Sequence, residues 1–266
     1  MQLKHRAALD GAQLDEVDSR IMIQKIETGA GKESINVVSL AGESGSRVTS
    51  VHRDSIDITV KFTIKLRKME MADREAVLEK ANAWALNGGW LTTNYKGNRR
   101  IRVFRAQAAE AGDPWDWTKV YSIVFRACGV PYWQEETPES LMQLNTKSAT
   151  MTLGVNGSEK TVLEASFVNT SGATVNTFSL DTGESMMAFT SLGLASGETL
   201  VIDHNDTGKK SLLRLRIKSG SSYRSVLNKR TQESSNDLYI SPGTHRVLMS
   251  AGGKGKITIS ASGRFA

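Results

Sequence analysis

The sequence predicts a mainly β chain of two domains: an N-terminal β-sandwich or α+β domain over residues 1–138 with one helix, then a C-terminal all-β sandwich over residues 139–266. Three observations carry this reading. A chain of 266 residues is long for one small domain and long enough to bury two cores. All five tryptophans, Trp84, Trp90, Trp115, Trp117 and Trp133, precede Pro138, so the two halves differ in composition. Apolar residues mostly recur with a period of two, and only residues 73–87 switch to the period of a helix.

The stretch from Trp115 to Pro138 marks the change. Tyr121, Ile123, Phe125 and Ala127 alternate with their neighbours and predict a half-buried strand from Trp117 to Ala127. Gly129 and Pro131 stop it, because proline cannot donate to a ladder and biases Val130 toward extended geometry. Pro138 repeats the interruption after Glu135 and Glu136. Gly129, Pro131, Tyr132, Trp133 and Pro138 are therefore expected to form an interdomain connection, and a chain starting near Leu141 is expected to fold alone.

In chain order, residues 14–27 predict one strand carrying Ile21, Ile23 and Ile26, with a bulge near Gln24 and Lys25. A short strand over residues 35–40 is expected between two exposed Gly/Ser loops. Residues 56–66 give the clearest pattern, with Ile56, Ile58, Val60, Phe62, Ile64 and Leu66 on one face and Asp57, Thr59, Lys61, Thr63 and Lys65 on the other. Val77, Leu78, Ala81, Trp84 and Ala85 then fall on one helical stripe, with Asp73 expected to cap the start and Asn87-Gly88-Gly89 to end the helix. This stripe is the expected core face, packed on the apolar side of strand 56–66. Residues 91–95 and 100–106 predict two strands around a turn at Lys96-Gly97-Asn98.

Beyond Pro138, short strands are expected over 149–155, 159–169, 175–180, 198–203, 212–218, 237–240, 245–250 and 256–261, separated by Gly, Ser, Asn and Thr. That spacing is the signature of an all-β sandwich. Leu213, Leu215 and Ile217 alternate with Arg214, Arg216 and Lys218, so one face is core.

Bulk properties exclude several function classes. Residues 1–138 hold 20 Lys/Arg against 18 Asp/Glu and residues 139–266 hold 14 against 10. The basic excess is dispersed, which argues against a sequence-specific nucleic-acid binder. One cysteine, Cys128, excludes an intrachain disulfide and a cysteine-rich metal site, and is expected to be a buried small hydrophobe at a strand end. No run approaches the roughly 18 to 20 apolar residues of a membrane span, so no membrane anchor is expected. The first residues, MQLKHRAALDGAQL, lack a signal-peptide core, and synthesis and assembly in a cytoplasm are expected.

No motif survives as a catalytic, cofactor or metal site. Gly29-Ala30-Gly31-Lys32 resembles part of a phosphate loop, but Glu33 stands where a hydroxyl must meet the metal. Residues 203–208, Asp-His-Asn-Asp-Thr-Gly, match the first half of a calcium loop, yet Arg214 occupies the twelfth position; a hairpin turn is the expected structure. Gly42-Glu43-Ser44-Gly45-Ser46 fails the nucleophile-elbow spacing. His5, His52, His204 and His245 are scattered, with no zinc spacing among them. Arg99, Arg100, Arg102 and Arg105, near Tyr95 and Phe104, form the densest basic cluster; their alternation with Ile101 and Val103 favours a solvated strand face over a stacking site.

The order of these elements resembles the distal tail protein family of long non-contractile-tailed bacteriophages, often abbreviated Dit. The resembling features are Asp10-Gly11 ahead of a strand at Ile21–Glu27, the run Arg53-Asp54-Ser55-Ile56-Asp57-Ile58, the helix ending in Trp84, the late strand running into Val130-Pro131-Tyr132-Trp133, and Ser241-Pro242-Gly243 before the last strands of a Gly-rich β domain. The resemblance spans nearly the whole chain and lies in order and spacing. It implies a structural virion protein at the tail tip, without enzymatic activity or cofactor. Its N-terminal domain would form a hexameric ring on the tail tube protein, with a lumen through which DNA passes. The ring would join tail-associated hub or fibre proteins and receptor-binding proteins, and the C-terminal domain would be a galectin-like or carbohydrate-module-like jelly roll.

A second class stays open, a surface adhesin whose C-terminal sandwich binds carbohydrate. It would need a platform of exposed aromatics, and residues 139–266 offer chiefly Phe167, Phe178, Phe189, Tyr223, Tyr239 and Phe265.

Overall fold

The alternating isoleucines, valine and phenylalanine of residues 56–64 build a strand whose inward residues are at most 6% exposed. The computed structural model in which this is seen describes residues 4–29, 31–39, 46–65, 71–111, 119–207 and 211–266. Leu66, Trp115, Trp117, the Ser44 loop and Gly208 lie outside the described residues. The chain is mainly β and divides into two compact units, Met1–Trp133 with Asp206–Ser211, and Gln134–Asn205 with Leu212–Ala266.

The first unit contains β1 (Ala7–Leu9), β2 (Ala12–Gln13), α1 (Leu14–Val17), β3 (Ile21–Thr28), β4 (Glu33–Ser39), β5 (Ser46–Arg53), β6 (Ile56–Ile64), α2 (Met71–Ala85), β7 (Gly89–Thr93), β8 (Arg99–Gln107) and β9 (Tyr121–Ala127). Its sheet runs β2-β1-β7-β8-β9-β6-β3, and every pair is antiparallel. Strand β8 turns a corner: residues 100–103 pair with β7 and residues 104–107 with β9, through a register shift after Arg105. A bulge of this kind raises local twist and lets one strand serve two parts of a curled sheet.

Three expectations need correction here. Residues 14–17 are a single helical turn, and the strand begins only at Ile21, although its ladder with β6 does shift register between Ile23 and Lys25. Asp18 is the cause: its carboxylate accepts from the Arg20 backbone and guanidinium at 3.1, 2.8 and 2.8 Å and from Lys80 of α2 at 3.1 Å, fixing a turn before β3. Asp73 does not precede the helix but lies in its first turn, where a carboxylate still faces the positive end of the helix dipole. Cys128 is exposed, because the inward alternation of β9 ends at Ala127.

Val77, Leu78, Ala81 and Ala85 are buried, whereas Trp84 is half-buried. Arg74, 3% exposed, completes the buried stripe at the N-terminal end of the helix. Trp84 sits at the margin of the stripe because its indole N–H needs an acceptor: it donates to the Ala12 carbonyl at 2.8 Å, and the ring packs edge-on against Phe125 of β9, 5.8 Å between centroids. The helix ends as Gly88, at φ 63°, donates to the Ala85 carbonyl.

The stretch expected to connect the two domains is partly buried. Pro131 and Trp133 are buried, Gly129 and Tyr132 are half-buried, and Pro138 is exposed. Trp133–Glu135 forms β10, and a long strand opens at Glu139. Within the second unit, Glu135 holds the backbone of Gly263 through its carboxylate and its own N–H, and accepts from Asn156 at 3.0 Å.

Apart from the end residues Asp206 and Ser211, that unit contains β11 (Glu139–Val155), β12 (Thr161–Asn169), β13 (Phe178–Asp181), β14 (Met186–Phe189), β15 (Thr199–Asp206), β16 (Ser211–Ser219), β17 (Ser222–Ser225), β18 (Tyr239–Ile240), β19 (Gly243–Ala261) and β20 (Arg264–Phe265). The sheet order is β14-β13-β19-β12-β15-β16-β17, with β11 along β19 and β18 on β12. The two strands expected at 245–250 and 256–261 are one strand. The glycines between them are packing glycines: a Cβ at Gly255 would collide with the Phe167 ring and the Val168 carbonyl, and one at Gly253 with Val175 and Ser171. The core comprises Phe167, Phe178 and Phe189 with Leu163, Leu180, Leu194, Ile217, Val247, Ile257 and Ile259, each at most 2% exposed.

Candidate functional site

Strands β4 and β5 form a two-stranded ladder of their own, paired with neither sheet. Its first strand has few alternatives to extended structure, since Ile35, Val37 and Val38 are β-branched. The ladder has two unlike faces. Antiparallel partners share a face, so Ser34 with His52 and Asn36 with Ser50 lie on one side, and Val37 with Val48 on the same side as Ile35.

The polar side satisfies itself. Ser34 donates to both carboxylate oxygens of Asp54 at 2.9 and 3.0 Å, and Asn36 donates to the Ser50 hydroxyl at 2.8 Å. Thr49, the extra residue at the register shift, returns a hydrogen bond to the Asn36 carbonyl at 3.1 Å. Asp54 also donates its backbone N–H to the Lys32 carbonyl, closing the base of the hairpin. The apolar side has nothing comparable. Ile35 and Val37 are 56% exposed and Val48 is 54% exposed, so three β-branched residues form a patch open to water.

The base of the hairpin also accounts for the glycine-rich stretch before it. Gly29 donates to the Asp57 carbonyl at 2.8 Å, and Gly31 lies against the Arg53 side chain. Gly29, Lys32, Asp54, Ser55, Ile56 and Asp57 line a shallow cleft of about 310 Å³, beside carboxylates rather than a cradle of free N–H groups. Asp57 itself is held by Arg126, two contacts at 2.6 Å, and this charge-assisted pair keeps its carboxyl below the usual carboxylate range.

On β8, Arg100 lies 4.3 Å and Arg102 5.8 Å from the Trp90 ring centre, while Arg102 also approaches Asp10 at 3.7 Å. Arg105 turns the other way and donates to the Asn82 carbonyl of α2 at 3.0 Å. The arginine cluster is therefore divided between an outer face resting on tryptophan and a structural tie to the helix. Lys96, lowered from its ordinary pKa first by burial and then by the Arg99 charge, lies over the Trp133 ring.

The calcium-like segment of the second unit is strand as far as Asp206, not a turn from Asp203. Asp203 accepts a forked pair from Arg214 at 3.1 and 2.6 Å and a third contact from Arg216 at 2.7 Å, so cations of the protein fill the place a metal would need. His204 contacts Asp237 at 2.6 Å, His52 lies 3.7 Å from Asp54, and His245 lies 3.8 Å from Glu184. Among the described residues no group of three His, Cys, Asp or Glu side chains could hold a metal ion. Glu184 anchors Ser241 by its N–H and hydroxyl at 3.0 and 2.7 Å; the hydroxyl contact is the main cause of its lowered pKa. Of the aromatics in this unit, Phe167, Phe178 and Phe189 are core, and Tyr223, 50% exposed, is covered on one face by Arg216 at 4.3 Å. No described helix is long and apolar enough to cross a membrane.

No family model matches the chain, and no curated protein sequence matches it. Solved structures do. The crystal structure of the Dit protein of phage SPP1, described as a paradigm of the hub adsorption apparatus in phages infecting Gram-positive hosts, superposes with a TM-score of 0.65 at 14% identity over 98% of this chain and 99% of that one. The phage p2 baseplate in its activated conformation with Sr gives 0.52 at 10% identity over 97% of each chain. The same baseplate with Ca gives 0.51 at 10% identity over 98% of each. The fold of this chain, from end to end, is the fold found in those phage tail hub and baseplate structures.

Proposed function

We propose that the chain is a structural component of a phage tail tip, whose N-terminal unit assembles six copies into a ring hub between the tail tube and the tail-tip proteins. The observation that carries this is the open apolar face of the β4–β5 hairpin. A two-stranded hairpin is marginal in water without a further layer, and an exposed β-branched patch on such a ribbon marks a surface meant for a neighbour. The end-to-end likeness to hub and baseplate structures supports the same reading. A ring is the closed form of a head-to-tail contact, which otherwise propagates into a fibre, and the number six is what the resemblance to the distal tail protein family implies. The role is one of assembly; Asp57 and Asp203 are held in ion pairs within the chain.

Size-exclusion chromatography with light scattering tests it. The expected species has about six times the 29.0 kDa chain mass. A single-chain mass at every concentration, both alone and with the tail tube protein present, would contradict it. The second unit is proposed to fold by itself when the chain starts at Gln134, because Glu135 then keeps its hold on Gly263 and Asn156. Loss of the β-sheet circular dichroism signal in that fragment would contradict the two-domain reading.

A further inference from the structure

Across the β7–β8 ladder Trp90 stands opposite Arg102 and Thr92 opposite Arg100, and their chain neighbours Leu91, Ile101 and Val103 are buried. Alternation therefore places Trp90, Thr92, Arg100 and Arg102 together on the outer face of the sheet. Arg100 rests on the Trp90 ring and, among the described residues, has no carboxylate partner. Arg102 reaches Asp10 at 3.7 Å, beyond hydrogen-bonding range. Helix α2 covers the inner face of the same sheet, through Trp84 on Phe125 and through the bond from Arg105 to the Asn82 carbonyl. Its exposed side is unlike a fully solvated helix face. Ala72, Ala76, Glu79, Ala83 and Leu86 fall, at 3.6 residues per turn, on the line opposite the buried Val77, Leu78, Ala81 and Ala85, and Leu86 is 57% exposed. Glu79 and, one turn before it, Glu75 are exposed and carry no ion pair among the described residues.

We propose that this arginine–tryptophan face receives the exposed side of α2 from the next copy in the ring. The inference rests on the ring proposed above, to which it gives a charged contact besides the hairpin. Three features select a second copy as the occupant. The charges are complementary, two guanidinium groups toward two carboxylates. Their spacing matches: Arg100 and Arg102, on one face of a strand, stand about 6.7 Å apart along it, and Glu75 and Glu79, on one side of a helix, about 6 Å apart. With the helix laid along β8 each carboxylate meets a guanidinium, and the alanines beside them let the helix close on the Trp90 ring. The two surfaces also lie back to back on one unit, since α2 covers the inner face of the sheet whose outer face carries the arginines. Each copy gives one surface and receives the other, which is the head-to-tail contact that a ring is built from and a two-fold pair is not.

Charge reversal in the full-length chain tests it, read as solution mass by light scattering. Glu75→Lys with Glu79→Lys alters only exposed side chains, and the mass is expected to fall from about six times the 29.0 kDa chain to that of one chain while the melting temperature holds. Adding Arg100→Glu and Arg102→Glu restores opposite charges across the contact, and the ring mass is expected to return. A wild-type ring whose mass survives the helix reversal overturns this inference and leaves the ring standing; it is what an acidic segment of another protein on the arginine face would give. A wild-type chain that stays single, both alone and with the tail tube protein, overturns both readings. No recovery in a folded fourfold variant overturns this one, because the helix then meets some other surface. Arg102 lies beside Asp10, so a companion variant leaves every arginine in place: Cys128→Ser with Glu79→Cys and Thr92→Cys, treated with a short bis-maleimide. Cross-linked species are expected in steps up to six chains, which neither new cysteine gives alone; products that stop at one chain or at two overturn the proposal.

Discussion

Strand β6 alternates along its whole length and β4 does so from Ser34 to Val37, with Val38 falling on the polar side, yet Ile58, Val60 and Phe62 of β6 are 0% exposed whereas Ile35 and Val37 of β4 are 56% exposed. The difference lies in what lies over them. β6 has a strand on each side and its inward residues stand beside Phe125 of β9, which packs on Trp84, while among the described residues β4 pairs with β5 alone. Alternation thus specifies a ribbon with two unlike faces, and it does not specify what covers the apolar one. On β6 the cover comes from within the chain; on the hairpin the proposed cover is another chain.

The largest effect expected from this contrast is on the covered side. Phe125→Ala removes a fully buried ring that packs on Trp84 and should cost about 3–5 kcal/mol, read from urea unfolding. Val37→Ala in the hairpin should stay within about 0.5 kcal/mol. A comparable cost at both sites would erase the distinction between them.

Trp84→Ala should cost about 2 kcal/mol, less than a full core aromatic, because the ring is half-buried and forfeits one hydrogen bond to Ala12. Glu79→Ala, exposed on the same helix, should change thermal stability by no more than about 0.5 kcal/mol.

Asp18→Asn sharpens the comparison through pH. The Arg20 guanidinium, opposed in part by burial and joined by Lys80, holds the Asp18 carboxyl well below the usual carboxylate range. A folded-state pKa below the unfolded value of about 4 means the stabilisation is complete above that pH and drains away as pH falls through the lower, folded value. The variant should therefore lose roughly 1–2 kcal/mol at neutral pH and show a shallower acid decline than wild type, measured by unfolding from pH 7 to pH 2. An unchanged acid profile would show that Asp18 does not tie β3 to the helix.

Much of this was legible in the residues. The strand at 56–64 alternates strictly, those at 121–127 and 161–169 alternate apart from outward valines, and the helix stripe declares itself through Val77, Leu78, Ala81 and Ala85. Other elements were hidden for physical reasons. β5 reads Ser-Arg-Val-Thr-Ser-Val-His-Arg, too polar to signal a strand, because neither of its faces enters a core. β17, wholly exposed, and the four-residue β14 are held by their neighbours' ladders rather than by pattern. The long β19 was read as two strands because glycine signals a turn when only sequence is known, whereas Gly253 and Gly255 are there to let Ser171 and Phe167 approach. Trp84 fitted the stripe by period, but its N–H fixes it at the margin. The open face of the hairpin was least legible, since the short apolar run at Ile35–Val38 gave no sign of its exposure.

The most direct measurement is the solution mass of the full chain with and without a charge on that face. Ile35→Asp combined with Val37→Asp alters only exposed side chains, so the melting temperature should hold while the mass falls from that of the ring to that of a single chain. A ring mass that survives both substitutions at an unchanged melting temperature would contradict the assignment of the hairpin as the assembly surface.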